Sequence, residues 1–323
     1  MRMSWVRGGI IGKGSFGTVS LAADRSNGSI FAVKSINFNS STPRAIAALE
    51  NEIRLLSSLN CPHIVSYLGD DLTEEPGGRF LNLHLEYLPG GTAAELAASG
   101  KMTEKEVRGT TRCIVRALHY LHSKAGVVHG DVKGRNVVLE SRATGDAKLV
   151  DLGSAREVVG GREKGEGTPL WMSPEVARGE SATPASDVWS VGCTVIEMVN
   201  GGRQPWGIVG SDPIMEMFGL GFREAVPEMP AGISKVGADF IEKCLRREPG
   251  ERWSCEELLR HSFLGDWEEM SPRSVFGMGE MEDGECVEEE GRRRMRELQS
   301  PEELKWGRGG WVEVRGKYQS QYL

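Results

Sequence analysis

From about residue 5 to residue 90 the chain alternates apolar and polar positions in short runs broken by glycine; from Lys101 onward helical spacing takes over. In the first region TVSLAA (Thr18–Ala23) and IFAVKSI (Ile30–Ile36) flank the turn Ser26-Asn27-Gly28, which predicts a β-hairpin. One helical stretch interrupts the strands, Pro43 to Leu59. On it Ala45, Leu49, Glu52 and Leu56 fall at i, i+4, i+7 and i+11, a single stripe. A carboxylate inside an apolar stripe is costly unless a cation meets it, so Glu52 calls for a partner. In the second region Thr103 and Glu106 form a capping box ahead of Val107, Ile114, Leu118 and Leu121. The stretch Asp187–Val199 (DVWSVGCTVIEMV) is apolar nearly all round, the pattern of a helix buried on every side.

At 323 residues, with 39% hydrophobic positions, the chain can build one large two-lobed domain or two domains. A net charge of −7 gives no case for a nucleic-acid or membrane surface. No apolar run approaches the roughly 18 residues a bilayer span needs, and the start, MRMSWVRGGIIGKGS, lacks the apolar core of a secretory signal. Cys61, Cys113, Cys193, Cys244, Cys255 and Cys286 are scattered, with no C-x-x-C pair, so reduced thiols are expected rather than disulfides or a metal site. The expectation is a cytoplasmic protein. After Leu264 the character changes: residues 280–290 (EMEDGECVEEE) are acidic and Gly291–Arg296 (GRRRMR) basic. Opposed charge blocks with few large apolar residues predict a largely disordered tail over 265–323. The basic run leaves nuclear entry open, and Trp311–Arg315 (WVEVR) could pack at a place the sequence does not specify.

The chemistry begins at GKGSFGTV, where Gly12, Gly14 and Gly17 stand in G-x-G-x-x-G order. Dinucleotide-binding folds use the same glycines but need a helix to follow; here Val19 and a strand follow, which makes a hairpin lid able to approach nucleotide phosphates. Lys34, on the second strand of the predicted hairpin, is the natural partner for Glu52. Farther on, HGDVKGRN (His129–Asn136) places Asp131 and Asn136 five positions apart with Lys133 between, and DLG (Asp151–Gly153) follows the strand-like AKLV. An acid poised to take a hydroxyl proton and oxygen ligands suited to Mg²⁺ are what such a set can supply.

Taken in order, these motifs resemble the eukaryotic protein kinases from about residue 5 to 264. Lys133 after the aspartate and Thr168 in GTP are similar to serine/threonine kinases. The runs LEYLPGGT, GTPLWMSPEVARGE and SDVWSVGCTVIEMVNGGRQPW resemble the plant MAP kinase kinase kinases with a short N-terminus. The resemblance implies an α+β, bilobal protein-kinase fold: a small, mainly-β N-lobe with one helix (about 5–88) and a larger, mainly-α C-lobe (about 89–264). It implies ATP and Mg²⁺ as cofactors and MAP kinase kinases as protein substrates. The catalytic set would be Asp131, Lys133, Lys34 and Glu52, and the metal ligands Asn136 and Asp151. Nucleotide would lie among Ile11, Gly12, Gly14, Gly17, Val19, Ala32, Lys34, Glu86, Leu88 and Val138, with Leu85 as gatekeeper. Thr168, Glu175 and Arg252 would shape the activation segment and substrate docking, and Asp187 would brace the catalytic loop. A scaffold with the fold but no turnover, or a kinase outside the MAP kinase cascade, is the alternative.

Three departures stand out, and two of them bear on control and specificity. Gly130 stands where relatives usually carry an arginine that binds a phosphate on the activation segment. Ala155–Gly167 (AREVVGGREKGEG) holds no Ser, Thr or Tyr, so the receptor and its phosphate sites are missing together. Independence from phosphorylation there is expected, with a regulatory partner at the tail as one alternative. Leu152 replaces the usual Phe of the metal-binding motif and keeps it apolar. Arg135, where arginine-directed kinases carry an acid, argues against a substrate preference for upstream arginine.

Overall fold

The computed structural model describes residues 4–14, 17–100, 102–141, 145–158, 167–207 and 224–265, with backbone strands at 312–314 and 316–318. The centre of the activation segment, the acidic stretch 280–290 and the basic run Gly291–Arg296 lie outside the described residues. The N-terminal half is an antiparallel sheet of β1 (Trp5–Gly14), β2 (Gly17–Asp24), β3 (Ile30–Asn37), β4 (Tyr67–Glu75) and β5 (Gly78–Glu86), in the order β1-β2-β3-β5-β4. The predicted hairpin is β2–β3, registered from Thr18 opposite Ser35 to Ala23 opposite Ile30. Period-2 alternation puts Ala32, Lys34 and Ile36 on one face of β3, and Leu85, Leu83 and Leu81 stand opposite them on β5.

Helix α1 (Pro43–Leu56) packs behind that face. Thr42 caps it, accepting from the Ala45 amide, and Pro43 occupies the first turn, where its missing N–H costs nothing. The helix ends at Leu56, three residues short of the predicted Leu59. Ser57 and Ser58 turn their hydroxyls back onto the carbonyls of Arg54 and Leu55, and that local bonding competes with a further turn.

The C-terminal half is helical: α2 (Ala93–Ala98), α3 (Glu104–Tyr120), α4 (Pro174–Ala177), α5 (Pro184–Val199) and the helices Lys235–Cys244 and Cys255–Leu259. The capping box opening α3 forms as the spacing predicts. In α5 every residue from Ser186 to Met198 is buried, so the all-round apolar pattern reports its position at the centre of the lobe. Short pairs β6 (Val127–Val128) with β9 (Arg156–Glu157), and β7 (Val137–Leu139) with β8 (Ala147–Leu149), hold the loops between the halves. This is the α+β, two-lobed arrangement anticipated above. The five described cysteines are free thiols, and no described helix is long and apolar enough to cross a membrane.

The tail contributes two short strands, at and just after the WVEVR run whose place the sequence left open. Strand β10 (Val312–Val314) pairs with β1 and β11 (Gly316–Tyr318) pairs with β4, so part of the 265–323 tail, including most of WVEVR, joins the N-terminal sheet.

Candidate active site

Lys34 reaches from β3 to two carboxylates at once. Its Nζ donates to Glu52 Oε2 at 2.6 Å and to Asp151 Oδ1 at 2.8 Å. Glu52 is 1% exposed, and its other oxygen accepts the Leu152 amide at 3.2 Å. Burial alone would push the Lys34 ammonium down; the flanking carboxylates outweigh it and hold the pKa well above the ordinary lysine value. Burial likewise pushes the Asp151 carboxyl up, and Lys34 more than offsets it, so Asp151 stays ionised. With both carboxylates ionised, one ammonium between them leaves a negative charge over, although burial, opposed by Lys34, pushes the Glu52 carboxyl above its ordinary value. Asp151 also sits at φ 65°, a left-handed conformation uncommon outside glycine. Leu152, fully buried in the main core, supplies the apolar anchor beneath it.

The catalytic-loop residues are held from below. Asp187, at the start of α5, accepts from the backbone amides of His129 (2.8 Å) and Gly130 (2.9 Å) and from His122 Nε2 (2.8 Å). Burial pushes its carboxyl up, but these hydrogen bonds keep it below the usual carboxylate range. Gly130 has φ 77°, and its carbonyl lies 2.6 Å from where a Cβ on Gly167 would stand. Both positions therefore favour glycine sterically.

Above this brace Asp131 is fully engaged. Its Oδ1 accepts from the Thr168 amide (2.9 Å) and hydroxyl (2.7 Å), and its Oδ2 from Lys133 Nζ (2.6 Å) and Asn136 Nδ2 (3.1 Å). Lys133 also donates to the Thr168 hydroxyl at 2.6 Å. Asn136 spends its amide hydrogens on Asp131, including the backbone carbonyl at 2.8 Å, which turns its amide oxygen away. That oxygen, the Asp151 carboxylate and the uncompensated negative charge suit Mg²⁺, which takes one or two protein oxygens and completes its shell with water and phosphate.

The glycine hairpin lies over Asp151: a Cβ on Gly14 would come 3.9 Å from Asp151 Oδ2. At Gly17 a Cβ would strike the Ser35 carbonyl at 2.7 Å, so the hairpin can enter β2 only with glycine there. Ala32 and Leu85 face each other in the core, with Val19 and Leu88 packed against it; Val138 is half-buried and Ile11 exposed, outside that cluster. Lys148 holds the Glu86 side chain at 2.7 and 2.9 Å. In the substrate-docking end, Arg252 forks onto Glu175 at 2.6 and 2.7 Å.

The chain matches the protein kinase domain over residues 5–264. The chain belongs to the protein kinase family. This kinase is 42% identical to mitogen-activated protein kinase kinase kinase 17 of Arabidopsis thaliana over 282 residues, 85% of this chain and 73% of the relative. With mitogen-activated protein kinase kinase kinase 18 of the same plant the identity is 40% over 285 residues, covering 85% and 81%. The human mitogen-activated protein kinase kinase kinase 3 is 36% identical over 271 residues, covering 81% of this chain and 42% of the relative.

Sequence reasoning missed one residue that ties the kinase's parts together. Glu197, buried in α5, accepts from the Gly134 amide in the catalytic loop (2.8 Å) and from Trp171 Nε1 in the docking segment (3.1 Å). Burial pushes its carboxyl above the ordinary value. The signal was available: an acid within CTVIEMV poses the same question that pointed to Glu52. Arg135 is exposed beside this cluster.

Proposed function

We propose that this kinase transfers the γ-phosphoryl group of ATP to serine or threonine residues of MAP kinase kinases. The observation that carries the reading is the assembled charge set, Lys34 between Glu52 and Asp151, beside Asp131, Lys133 and Thr168. Similarity over most of the length of two plant MAP kinase kinase kinases supports the substrate class. In this reading Gly12, Gly14 and Gly17 admit the phosphates beneath the hairpin, and Lys34 holds the α- and β-phosphates. Asn136 and Asp151 would hold Mg²⁺, which would supply the positive charge that offsets that of the phosphates. Asp131 orients the substrate hydroxyl and accepts its proton, Lys133 balances the transferring phosphoryl group, and the Glu86–Leu88 backbone receives adenine. Free thiols favour a reducing compartment such as the cytoplasm.

Purified protein with Mg-ATP and a panel of MAP kinase kinases tests this, with Lys34→Met as the reference. Transfer to panel members above that reference is expected. Transfer only to unrelated proteins would move the kinase outside the cascade, and none at all would leave a scaffold.

Activity independent of activation-segment phosphorylation is part of the proposal. Gly130 has no side chain to bind a phosphate, and Asp187 holds its amide directly. Protein treated with phosphatase should keep its transfer rate within about twofold; a loss of tenfold or more, restored by rephosphorylation, would reject this.

A further inference from the structure

Strands β1 and β4 are the outer strands of the five-stranded sheet, and side chains inside the curl of the sheet bring them together. Trp5 Nε1 on β1 donates to Asp71 Oδ2 on β4 at 2.8 Å. Two residues on, Arg7 forks onto Glu75 at 2.7 and 2.9 Å. Arg7 also donates to Ser35 (2.9 Å) and Asn82 (3.0 Å), whose amide nitrogen bonds Asp71 and Thr73. Beside the apolar cluster of Trp5, Ala22, Phe31 and Val33, the enclosed face of the sheet thus carries a polar network around a largely buried ion pair. It fixes the two edges opposite each other, each with a row of backbone donors and acceptors. Bare edges of this kind are open to any extended segment.

The C-terminal segment uses both rows. Val314, Glu313 and Val312 stand opposite Trp5, Val6 and Arg7, whereas Gly316 and Tyr318 stand opposite Thr73 and Leu72. Only Arg315 separates the two pairings in sequence, so neighbouring pieces of one short stretch occupy both edges of the sheet. Its backbone partners are the residues that carry the internal network, or their immediate neighbours. Strands of three residues are marginal alone; engagement on two sides is what a slot between cross-linked edges offers. Residues 265–311, at up to about 3.3 Å each, are ample to bring the segment back from the other lobe.

We propose that β1 and β4 form a two-sided docking slot for an extended peptide, and that this kinase carries its own occupant, residues 312–318, bound in cis by strand addition. The folded unit then extends beyond residue 264 to include a distant piece of the tail. This inference concerns the sheet and stands apart from the substrate reading above.

Hydrogen exchange on the full chain tests it against a Val312→Pro/Val314→Pro variant, since those residues stand opposite Arg7 and Trp5 in the hydrogen-bonded positions and proline removes their donors. Amides of Trp5, Arg7 and Leu72, which alternation along β1 and β4 turns toward the tail strands, should exchange at least tenfold faster in the variant, with α5 amides unchanged. Equal rates in both proteins would overturn the proposal. Should the variant unfold, a Val6→Cys/Glu313→Cys chain gives a second measurement, because directly opposed residues lie within disulfide reach. Mild oxidation should yield an intrachain disulfide between the two introduced thiols, found by peptide mapping at every protein concentration. A link absent, or found only between two chains, would overturn binding in cis.

Discussion

Replacing Asp131 by Asn should leave a kinase that binds nucleotide but transfers phosphate roughly 10²–10⁴-fold more slowly, the span usual for a lost general base. The carboxylate is placed by four donors, two from Thr168 on one oxygen and Lys133 with Asn136 on the other. Asparagine keeps the size but puts an N–H₂ where one oxygen was. Whichever way the amide turns, a donor meets donors, and it cannot take a proton. Lys34, Glu52 and Asp151 are untouched, so nucleotide affinity should stay within a few-fold.

Lys34→Met gives the contrasting signature: Glu52 and Asp151 lose the one cation between them, and nucleotide affinity and thermal stability fall together. Single-turnover rates with a nucleotide titration separate the two cases. Should Asp131→Asn retain transfer within tenfold of the parent, Asp131 is not the proton acceptor.

What the sequence discloses and what it hides follow from the range over which each signal acts. The β2–β3 hairpin, the cap at Thr103 and the spacing of Asp131, Lys133 and Asn136 are local, and the structure brings them together as their order implies. Glu52 was legible because a stripe position demanded a cation. Glu197 carried the same signal, but its partners are a backbone amide and an indole, for which no charge in the sequence speaks. Arg7 was hidden for another reason. Alternation tells which residues share a face of β1 but not that the sheet curls to enclose that face. The tail strands were least legible: three-residue segments have no usable period, and their partners on β1 and β4 lie far back along the chain, at Trp5–Arg7 and Leu72–Thr73.

The largest loss of stability is expected from Arg252→Ala, about 3–5 kcal/mol, because removing one member of a buried pair strands the other. The Arg252 and Glu175 side chains are 0% and 3% exposed. The guanidinium also donates to the carbonyls of Arg246 (2.7 Å), Arg247 (2.9 Å) and Ala185 (2.9 Å), and lies over the Trp189 ring. It thereby fastens α4, which follows the docking segment, to α5 and to the loop before the last helix. A double variant, Glu175→Leu with Arg252→Met, should recover only part of the loss, because those carbonyls stay unpaired. Acidity supplies a second reading. Burial pushes the Glu175 carboxyl up, but the Arg252 fork outweighs it and holds the folded pKa below the ordinary value. A depressed carboxylate contributes its full stability above the unfolded pKa, roughly 4.3 for glutamate, and loses it as pH falls through the folded pKa. In Arg252→Ala burial is opposed only by the hydrogen bonds that remain, such as that from Ser186, so Glu175 takes up a proton more readily and the variant recovers as pH drops. The gap between parent and variant, measured by urea unfolding, should therefore be widest near neutral pH and narrow steadily toward about pH 4. A gap that stays constant across that window would mean that Glu175 and Arg252 are not coupled as an ion pair.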